Sequence, residues 1–323
     1  MKNIYITLIL FPLAMLWAFS GMARQAIGTG DSSLPEVLQD PDAVAAAKLE
    51  AGSAYMAEPG ASGSLGPPRL LAEWSFDESG NILEQASYDT DGTLAHRIEY
   101  VYDSGLLVKT YNNGMRTVGD FTTSMRYNSE NRLISSESVR ENGELIVRTS
   151  YSYNDSGEMT ELVTEAQMKA VEKRVSMSYD GEGRIVQTLV TDAEGRLSGR
   201  TLNSYDAAGN LLQQSSYTAD GNNISTTRNE YDSSGRLIKT VVLNPERETL
   251  QVLSHKYDSE DRLVGSSTSN PSAGASSRMT FEYNDRGLPS QVDTFDKLGR
   301  LAGRVTYRYE YGDDNRSPDI RKE

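Results

Sequence analysis

The feature that most constrains this chain is an aromatic residue that returns at a fixed interval. Phe76, Tyr102, Tyr127, Tyr153, Tyr179, Tyr205, Tyr231, Tyr257, Tyr283 and Tyr309 are separated by 26, 25 and then seven further intervals of 26 residues. A period of this length and regularity is the signature of a repeat architecture, in which each unit buries its apolar face on its neighbours. The residue after the anchor is Asp or Asn in nine copies, from Asp77 to Asn284, and Glu310 in the last. Four positions after the anchor stand Gly80, Asn131, Gly157, Gly183, Gly209, Gly235, Asp261 and Gly287. Asp or Asn hydrogen-bonds the backbone two residues on, and Gly, Asn or Asp accepts positive φ. This column predicts a type I turn closed by a left-handed residue, the connection of a longer β-hairpin.

The flanks alternate as strands do. Two residues before the anchors come Trp74, Tyr100, Met125, Tyr151, Met177, Asn203, Asn229, His255, Phe281 and Tyr307, which share the anchor's face. A second turn signal falls half a repeat on, as in Asp89-Thr90-Asp91-Gly92 and Asp296-Lys297-Leu298-Gly299. Each unit is therefore two strands and two turns. The expected fold is all-β: tandem β-hairpins forming a long antiparallel sheet that twists or coils, with a β-solenoid of one coil per repeat as the alternative. Glu165–Glu172 has helical propensity where strand is due, and stays in register as strand; Asn270–Ser277 reads as a longer, mobile hairpin loop.

Residues outside the array have other textures. Residues 1–23 read as a signal peptide: Lys2, an apolar run from Ile4 to Phe19, then Gly21 and Ala23 at the small positions of a cut. An uncleaved anchor is the competing reading, since the run reaches the ~20 residues that span a bilayer. Residues 24–69 are linker in composition, with one short helix over Asp42–Glu50 started by Asp40-Pro41 and stopped by Gly52. The array occupies 70–311, and 312–323 reads as a disordered tail.

The runs Tyr179–Ile185, Tyr231–Leu237 and Tyr257–Leu263, of the form Tyr-Asp-x-x-Gly-Arg-Leu with departures, resemble the YD-repeat (RHS) family of secreted bacterial proteins. The resemblance covers about three quarters of the chain. It implies a meander of hairpins coiling into a curved sheet, which in large members encloses a toxic C-terminal domain, and it implies a link to carbohydrate binding. Only Gly312 to Glu323 follow Tyr311, and no Asp-Pro-x-Gly segment lies near the end, so toxin delivery and self-cleavage are not carried over.

Chemistry is sparse. The chain has no Cys and two His, His96 and His255, and offers no Ser-His-Asp set, His pair at metal spacing or phosphate-binding glycine loop. The carboxylates sit in turns, where structure explains them. No catalytic, cofactor or metal site is expected, and the protein is read as no enzyme. A formal charge of −14 argues against nucleic acid. The aromatic positions Trp74, Tyr100, Tyr151, Phe281 and Tyr307 form the one candidate ligand-binding face, or else a covered core, depending on whether the sheet stays open or rolls up. The function expected is an exported, non-catalytic protein of periplasm or cell surface, with no membrane span after signal cleavage, binding a glycan or an envelope or secreted protein. The alternatives are an accessory shell of a toxin or secretion system and an enzyme acting on envelope polysaccharide.

Overall fold

The computed structural model describes residues 36–114, 119–166 and 173–312. A 3-10 turn, Glu36–Gln39, leads into helix α1, Pro41–Ala46. Twenty strands follow among the described residues. The first ten are β1 Leu49–Ala57, β2 Arg69–Phe76, β3 Ile82–Tyr88, β4 Leu94–Asp103, β5 Leu106–Asn113, β6 Phe121–Tyr127, β7 Leu133–Arg140, β8 Leu145–Tyr153, β9 Met159–Ala166 and β10 Lys173–Tyr179. The rest are β11 Ile185–Thr191, β12 Leu197–Tyr205, β13 Leu211–Thr218, β14 Asn223–Tyr231, β15 Leu237–Leu243, β16 Thr249–Tyr257, β17 Leu263–Asn270, β18 Ala275–Tyr283, β19 Pro289–Phe295 and β20 Leu301–Tyr311.

Each strand pairs antiparallel with the next in sequence, and β20 pairs with β1. The sheet closes into an up-and-down barrel, which corrects both the open coiled sheet and the solenoid. Ser53 of β1 shows the closure at one residue: it is in register with Glu73 of β2 on one side and with Arg308 of β20 on the other. Closure removes the exposed sheet edges that an open meander leaves available for association. Twenty strands at ~4.8 Å and a tilt of about 40° give a backbone diameter of roughly 40 Å if the section is circular.

Turn chemistry sets the strand boundaries. In the turn after Tyr231, the Gly235 N–H donates to the Asp232 carbonyl at 3.0 Å and the Asp232 N–H to the Arg236 carbonyl at 3.0 Å. Asp232 Oδ1 accepts from the Ser234 and Arg236 N–H groups at 2.9 and 3.0 Å. Gly235 has φ of 80°, and Asn131 and Asp261 take the same left-handed region at 60° and 62°. The register shifts by one residue at the anchor, between Glu230 and Tyr231 against Leu237, which is the bulge such a turn demands. Two turns per repeat put every anchor turn at one rim and every second turn at the other.

The N-terminal segment departs from the linker expectation. Asp40 caps α1, its side chain accepting from the Asp42 N–H, and Pro41 occupies the first helical position. The helix ends at Ala46, four residues before the expected Glu50, and Lys48 at φ 52° turns the chain into β1. The strand that closes the barrel thus comes from the stretch read as linker. Strand β18 begins at Ala275, so the expected long loop over Asn270–Ser277 shortens to four residues between strands. The signal segment, most of the C-terminal tail and residues 167–172 of the helix-prone stretch lie outside the described residues, while Glu165 and Ala166 end β9.

The two faces of the wall differ. Arg126, Ser152, Ser178, Ser204, Glu230, Lys256, Glu282 and Arg308, each one residue before an anchor, are all exposed. Small polar residues in register with the anchor face, among them Thr110, Thr123, Ser136, Ser138, Thr240 and Ser266, are buried. Side chains converge on the concave side of a barrel and spread on the convex side, so the anchors face inward.

Candidate functional site

The anchor rim is a lattice that ties each hairpin to the next. The last β13–β14 pair towards this rim is Gln213 with Arg228, so Leu211 lies beyond the ladder. Its carbonyl accepts instead from Tyr231 Oη at 2.9 Å and from Asn229 Nδ2 at 3.0 Å. The same bond, twenty residues back along the chain, is made by Tyr127, Tyr153, Tyr179, Tyr205, Tyr257, Tyr283 and Tyr309 at 2.6–2.9 Å. A phenol at the anchor therefore satisfies a carbonyl that the bulged ladder leaves over. The first copy is Phe76, next to β1 rather than to an earlier repeat, and it needs no hydroxyl.

Arginine continues the lattice. Arg236 donates through Nε to Asp232 Oδ2 at 2.7 Å, and its guanidinium lies 5.1 Å from the ring centroid of Tyr257 in the next repeat. Arg184 stands over Tyr205 at 5.0 Å and Arg262 over Tyr283 at 5.1 Å. The Arg236 N–H, and then its guanidinium, hold the Asp232 carboxyl below the usual aspartate range. The Tyr-Asp-x-x-Gly-Arg run is thus consumed by structure: its polar groups bond one another and the neighbouring hairpin.

Closure decides what the position two before the anchor builds. The even strands carry it, and around the barrel they run β18, β20, β2, β4, with β1 between β20 and β2. Phe281, Tyr307, Trp74 and Tyr100 therefore become one arc that crosses the join of the chain's two ends. Tyr151 on β8 stands apart, separated from Tyr100 by Met125 on β6. The arc that adjoins it at β18 is polar: Asn203, Asn229 and His255 on β12, β14 and β16. Four of the five aromatic residues expected from sequence are brought together, and the fifth is not.

The aromatic arc is densest at the seam. Trp74 and Tyr307 stack with centroids 6.5 Å apart and planes at 26°; Tyr307 and Tyr309 stack at 6.5 Å and 8°, and Tyr311 follows at 6.4 Å from Tyr309. They can meet because β1 is thin where they cross it. Gly52 is in register with Trp74 and Tyr309, and Ala54 with Tyr307. A Cβ on Gly52 would stand 3.3 Å from the Tyr309 ring. Leu38, Val44 and Leu49 join Trp74, Phe76 and Leu288 in the one apolar cluster found among the described residues, so α1 and the start of β1 pack against the seam. Trp74 is 3% exposed and its Nε1 has no hydrogen-bond partner. Burial pushes the Tyr100 and Tyr307 hydroxyls up to about 12.

The polar arc is hydrogen-bonded across strands. Thr240 Oγ1 donates to Asn229 Oδ1 at 2.8 Å, and Gln214 Nε2 to Asn203 Oδ1 at 3.1 Å. Burial pushes the His255 imidazole below its usual pKa, and its Nδ1 lacks a partner. Around the wall, charged side chains in register with the anchors occur only towards strand ends, as at Arg140 and Lys173. The ion pairs stand outside: Arg97–Glu84 at 3.2 Å, Arg174–Glu161 at 2.8 Å, Lys239–Glu230 at 2.8 Å and Arg304–Asp293 at 2.7 Å. Between the strand ends the inner wall is uncharged, its hydroxyls, amides and aromatic rings interleaved with aliphatic side chains such as Leu162, Val175 and Val292. Among the described residues no group of three or more His, Asp or Glu is placed to hold a metal. Sequence reasoning missed Gly52 and Ala54, whose signal was the run of small residues Ala51-Gly52-Ser53-Ala54 within Leu49–Ala57.

Comparison with known proteins corrects the resemblance drawn from the motif. The family model that matches is that of an uncharacterised protein, over residues 126–229, about a third of the chain. That stretch includes the anchors Tyr127, Tyr153, Tyr179 and Tyr205, and the match is not to the YD-repeat family. No curated protein matches. Among solved structures, a porin-like protein from Bacteroides uniformis is similar at 11% identity, covering 81% of this chain and 98% of that one, with a TM-score of 0.37. A porin-like protein from Bacteroides vulgatus gives 10% identity, 79% and 97% coverage and a TM-score of 0.30. The crystal structure of TcdB2-TccC3 without its hypervariable C-terminal region gives 12% identity and a TM-score of 0.29, covering 78% of this chain. This chain spans 18% of that TcdB2-TccC3 chain. At these scores no property of those proteins transfers to this chain.

Proposed function

We propose that this protein is an exported, non-catalytic β-barrel of the cell envelope whose inner wall binds an uncharged glycan. One observation carries the reading: the wall is neutral and rich in hydroxyl and amide groups, with an aromatic arc, while the charge is turned outward. Aromatic faces stack on the apolar faces of sugar rings, and side-chain amides and hydroxyls match sugar hydroxyls without the desolvation cost of a buried ion.

The outer wall supports a barrel that stands in water. A bilayer-spanning barrel presents an outward apolar band about 25 Å tall. Here the corresponding surface carries the cross-strand ion pairs. No helix of the described residues is long and apolar enough to cross a membrane.

The test uses the chain beginning after Ala23, in which Trp74 is the one tryptophan, since the other is Trp17. Titration with neutral oligosaccharides of glucose, N-acetylglucosamine and mannose is expected to shift Trp74 emission in a saturable way for at least one of them. Tyr307→Ala is expected to weaken that binding tenfold or more. Unchanged emission across all three series contradicts the reading, and recovery of an envelope protein in pull-downs without sugar binding would replace the glycan by a protein partner.

A further inference from the structure

The outer wall departs from its own repeat at one place. At the second-turn rim the left-handed residue is Gly92, Gly143, Gly195, Gly221 or Gly299, but in the turn that joins β15 to β16 it is Arg247, with φ of 65°. That backbone conformation disfavours any residue with a Cβ, and strained positions of this kind concentrate at binding sites. Arg247 borders a cleft of about 230 Å³ on the outer wall, lined also by Gln213, Ser215 and Tyr217 of β13 and Thr226 and Arg228 of β14. The volume is below the ~300 Å³ at which drug-sized pockets begin and is on the scale of one sugar ring.

The floor of the cleft is already ordered. Arg228 Nε donates to Gln213 Oε1 at 3.2 Å, Gln213 Nε2 to Ser215 Oγ at 3.2 Å, and Ser215 Oγ lies 3.3 Å from Thr226 Oγ1. Ser215 is only 3% exposed although it belongs to the outer face. The guanidinium of Arg200 lies 5.1 Å from the centroid of the Tyr217 ring.

What sets this place apart is the grouping of charge. On the outer wall Arg97, Arg148, Arg174 and Arg304 meet carboxylates, while Arg278 and Arg308 lie singly over the Phe295 and Tyr55 rings. Arg200, Arg228 and Arg247 make no ion pair among the described residues, in a chain whose formal charge is −14. Of the two carboxylates that flank Arg247 in the turn, Glu246 and Glu248, neither pairs with it, and Glu248 is held by Asn244 Nδ2 at 2.9 Å. Two guanidinium groups line this ordered cleft and a third stands over its Tyr217 ring, none of them with an ion-pair partner among the described residues. Guanidinium forks match a carboxylate in shape as well as charge, and the Tyr217 ring suits the face of a pyranose.

We propose that this cleft binds a sugar acid, with Arg228 and Arg247 holding its carboxylate and the ring lying against Tyr217. The site is on the outer wall and stands independently of the glycan reading of the inner wall. Calorimetric titration of the full chain with D-glucuronate, D-glucose and sodium sulfate tests it. Glucuronate is expected to saturate the site with an affinity at least tenfold above glucose and sulfate, and to weaken as salt is raised. Arg247→Gly restores the residue used at five other turns, so the fold is retained, and it is expected to lower glucuronate affinity at least tenfold, as is Arg228→Gln. Arg126→Gln, an exposed outer-wall arginine on β6, is expected to leave the titration unchanged. The proposal is overturned if glucose binds as well as glucuronate, if sulfate does so and marks a bare anion site, or if either arginine variant binds like the parent.

Discussion

The seam and the polar wall of β12 to β16 solve one problem, joining neighbouring strands, by different means. Across β12 to β16 each hairpin is tied to the next by a tyrosine hydroxyl, joined by an asparagine amide at Asn203 and Asn229 and by a stacked arginine at Tyr205 and Tyr257. Across β20, β1 and β2 the join is apolar: a stack of Trp74, Tyr307, Tyr309 and Tyr311 laid over Gly52 and Ala54, backed by Leu38 and Val44 of the N-terminal segment. The repeat specifies its neighbour locally and so needs little core. The seam joins residues some 260 positions apart and has no repeat to lean on. Burial of large side chains, at roughly 25 cal/mol per Å², does there what directed bonds do elsewhere.

Truncating each region at the same column position separates the two mechanisms most sharply. Trp74→Ala is expected to destabilise the fold by about 3–5 kcal/mol, as a buried aromatic does on truncation. Asn229→Ala, at the equivalent place on the polar arc, is expected to cost about 1 kcal/mol, because Tyr231 still satisfies the Leu211 carbonyl. Urea unfolding of both variants reads the difference; equal losses would erase the distinction between seam and wall.

The anchor column offers a reciprocal pair. Phe76→Tyr places a hydroxyl in the apolar cluster at the seam and is expected to cost about 1–3 kcal/mol. Tyr231→Phe removes one hydroxyl from a carbonyl that keeps its Asn229 bond, and is expected to cost about 1 kcal/mol or less. Smaller still is Arg236→Gln, which loses the stack on Tyr257 and surface pairs with Asp232 and Asp261, together about 0.5–1 kcal/mol.

Extremes of pH are expected to loosen the two regions in opposite directions. Asp180, Asp192, Asp206, Asp232, Asp258 and Asp296 are held below the usual aspartate range by turn N–H groups and by Arg or Asn partners. Their contribution is present above the ordinary value of about 4 and is lost as pH falls through the lowered values. Tyr100 and Tyr307 move the other way, from 10.0 to about 12, through burial. Their contribution is present below pH 10 and disappears as pH rises towards 12. Hydrogen exchange is expected to open the repeat turns first in acid, and the seam strands first in alkali, with phenolate absorbance rising in step.

How much of this was written in the sequence follows from the range of each cause. The turns were legible because their chemistry is confined to five residues: Asp232 bonds Ser234 and Arg236 in the way its type and spacing require, and Asn131 and Asp261 take the glycine conformation as expected. The 26-residue period gave strand order and the common face of the anchors. The closing strand was not legible, because Leu49–Ala57 is rich in Ala, Gly and Ser, which disfavour strand unless neighbours demand it. Those neighbours are the rings of Trp74, Tyr307 and Tyr309, and their demand exists only once the barrel closes. Whether a sheet closes depends on twist and stagger summed over twenty strands, which no local motif records. The candidate aromatic face was accordingly named in most of its members but not in its arrangement, since the arc crosses the two ends of the array.

The central claim is that β1 joins β2 to β20 and shuts the barrel, and a pair of spin labels at Glu73→Cys and Arg308→Cys tests it directly. The chain has no cysteine of its own, so labelling is specific. Both residues are in register with Ser53 on the outer face of β1, two strand spacings apart, or roughly 10 Å. Closure predicts strong dipolar broadening of the continuous-wave spectrum, lost when the labelled protein is unfolded in urea. Narrow lines from the native protein, with pulsed measurements placing the labels many tens of ångströms apart, would mean that the sheet is open.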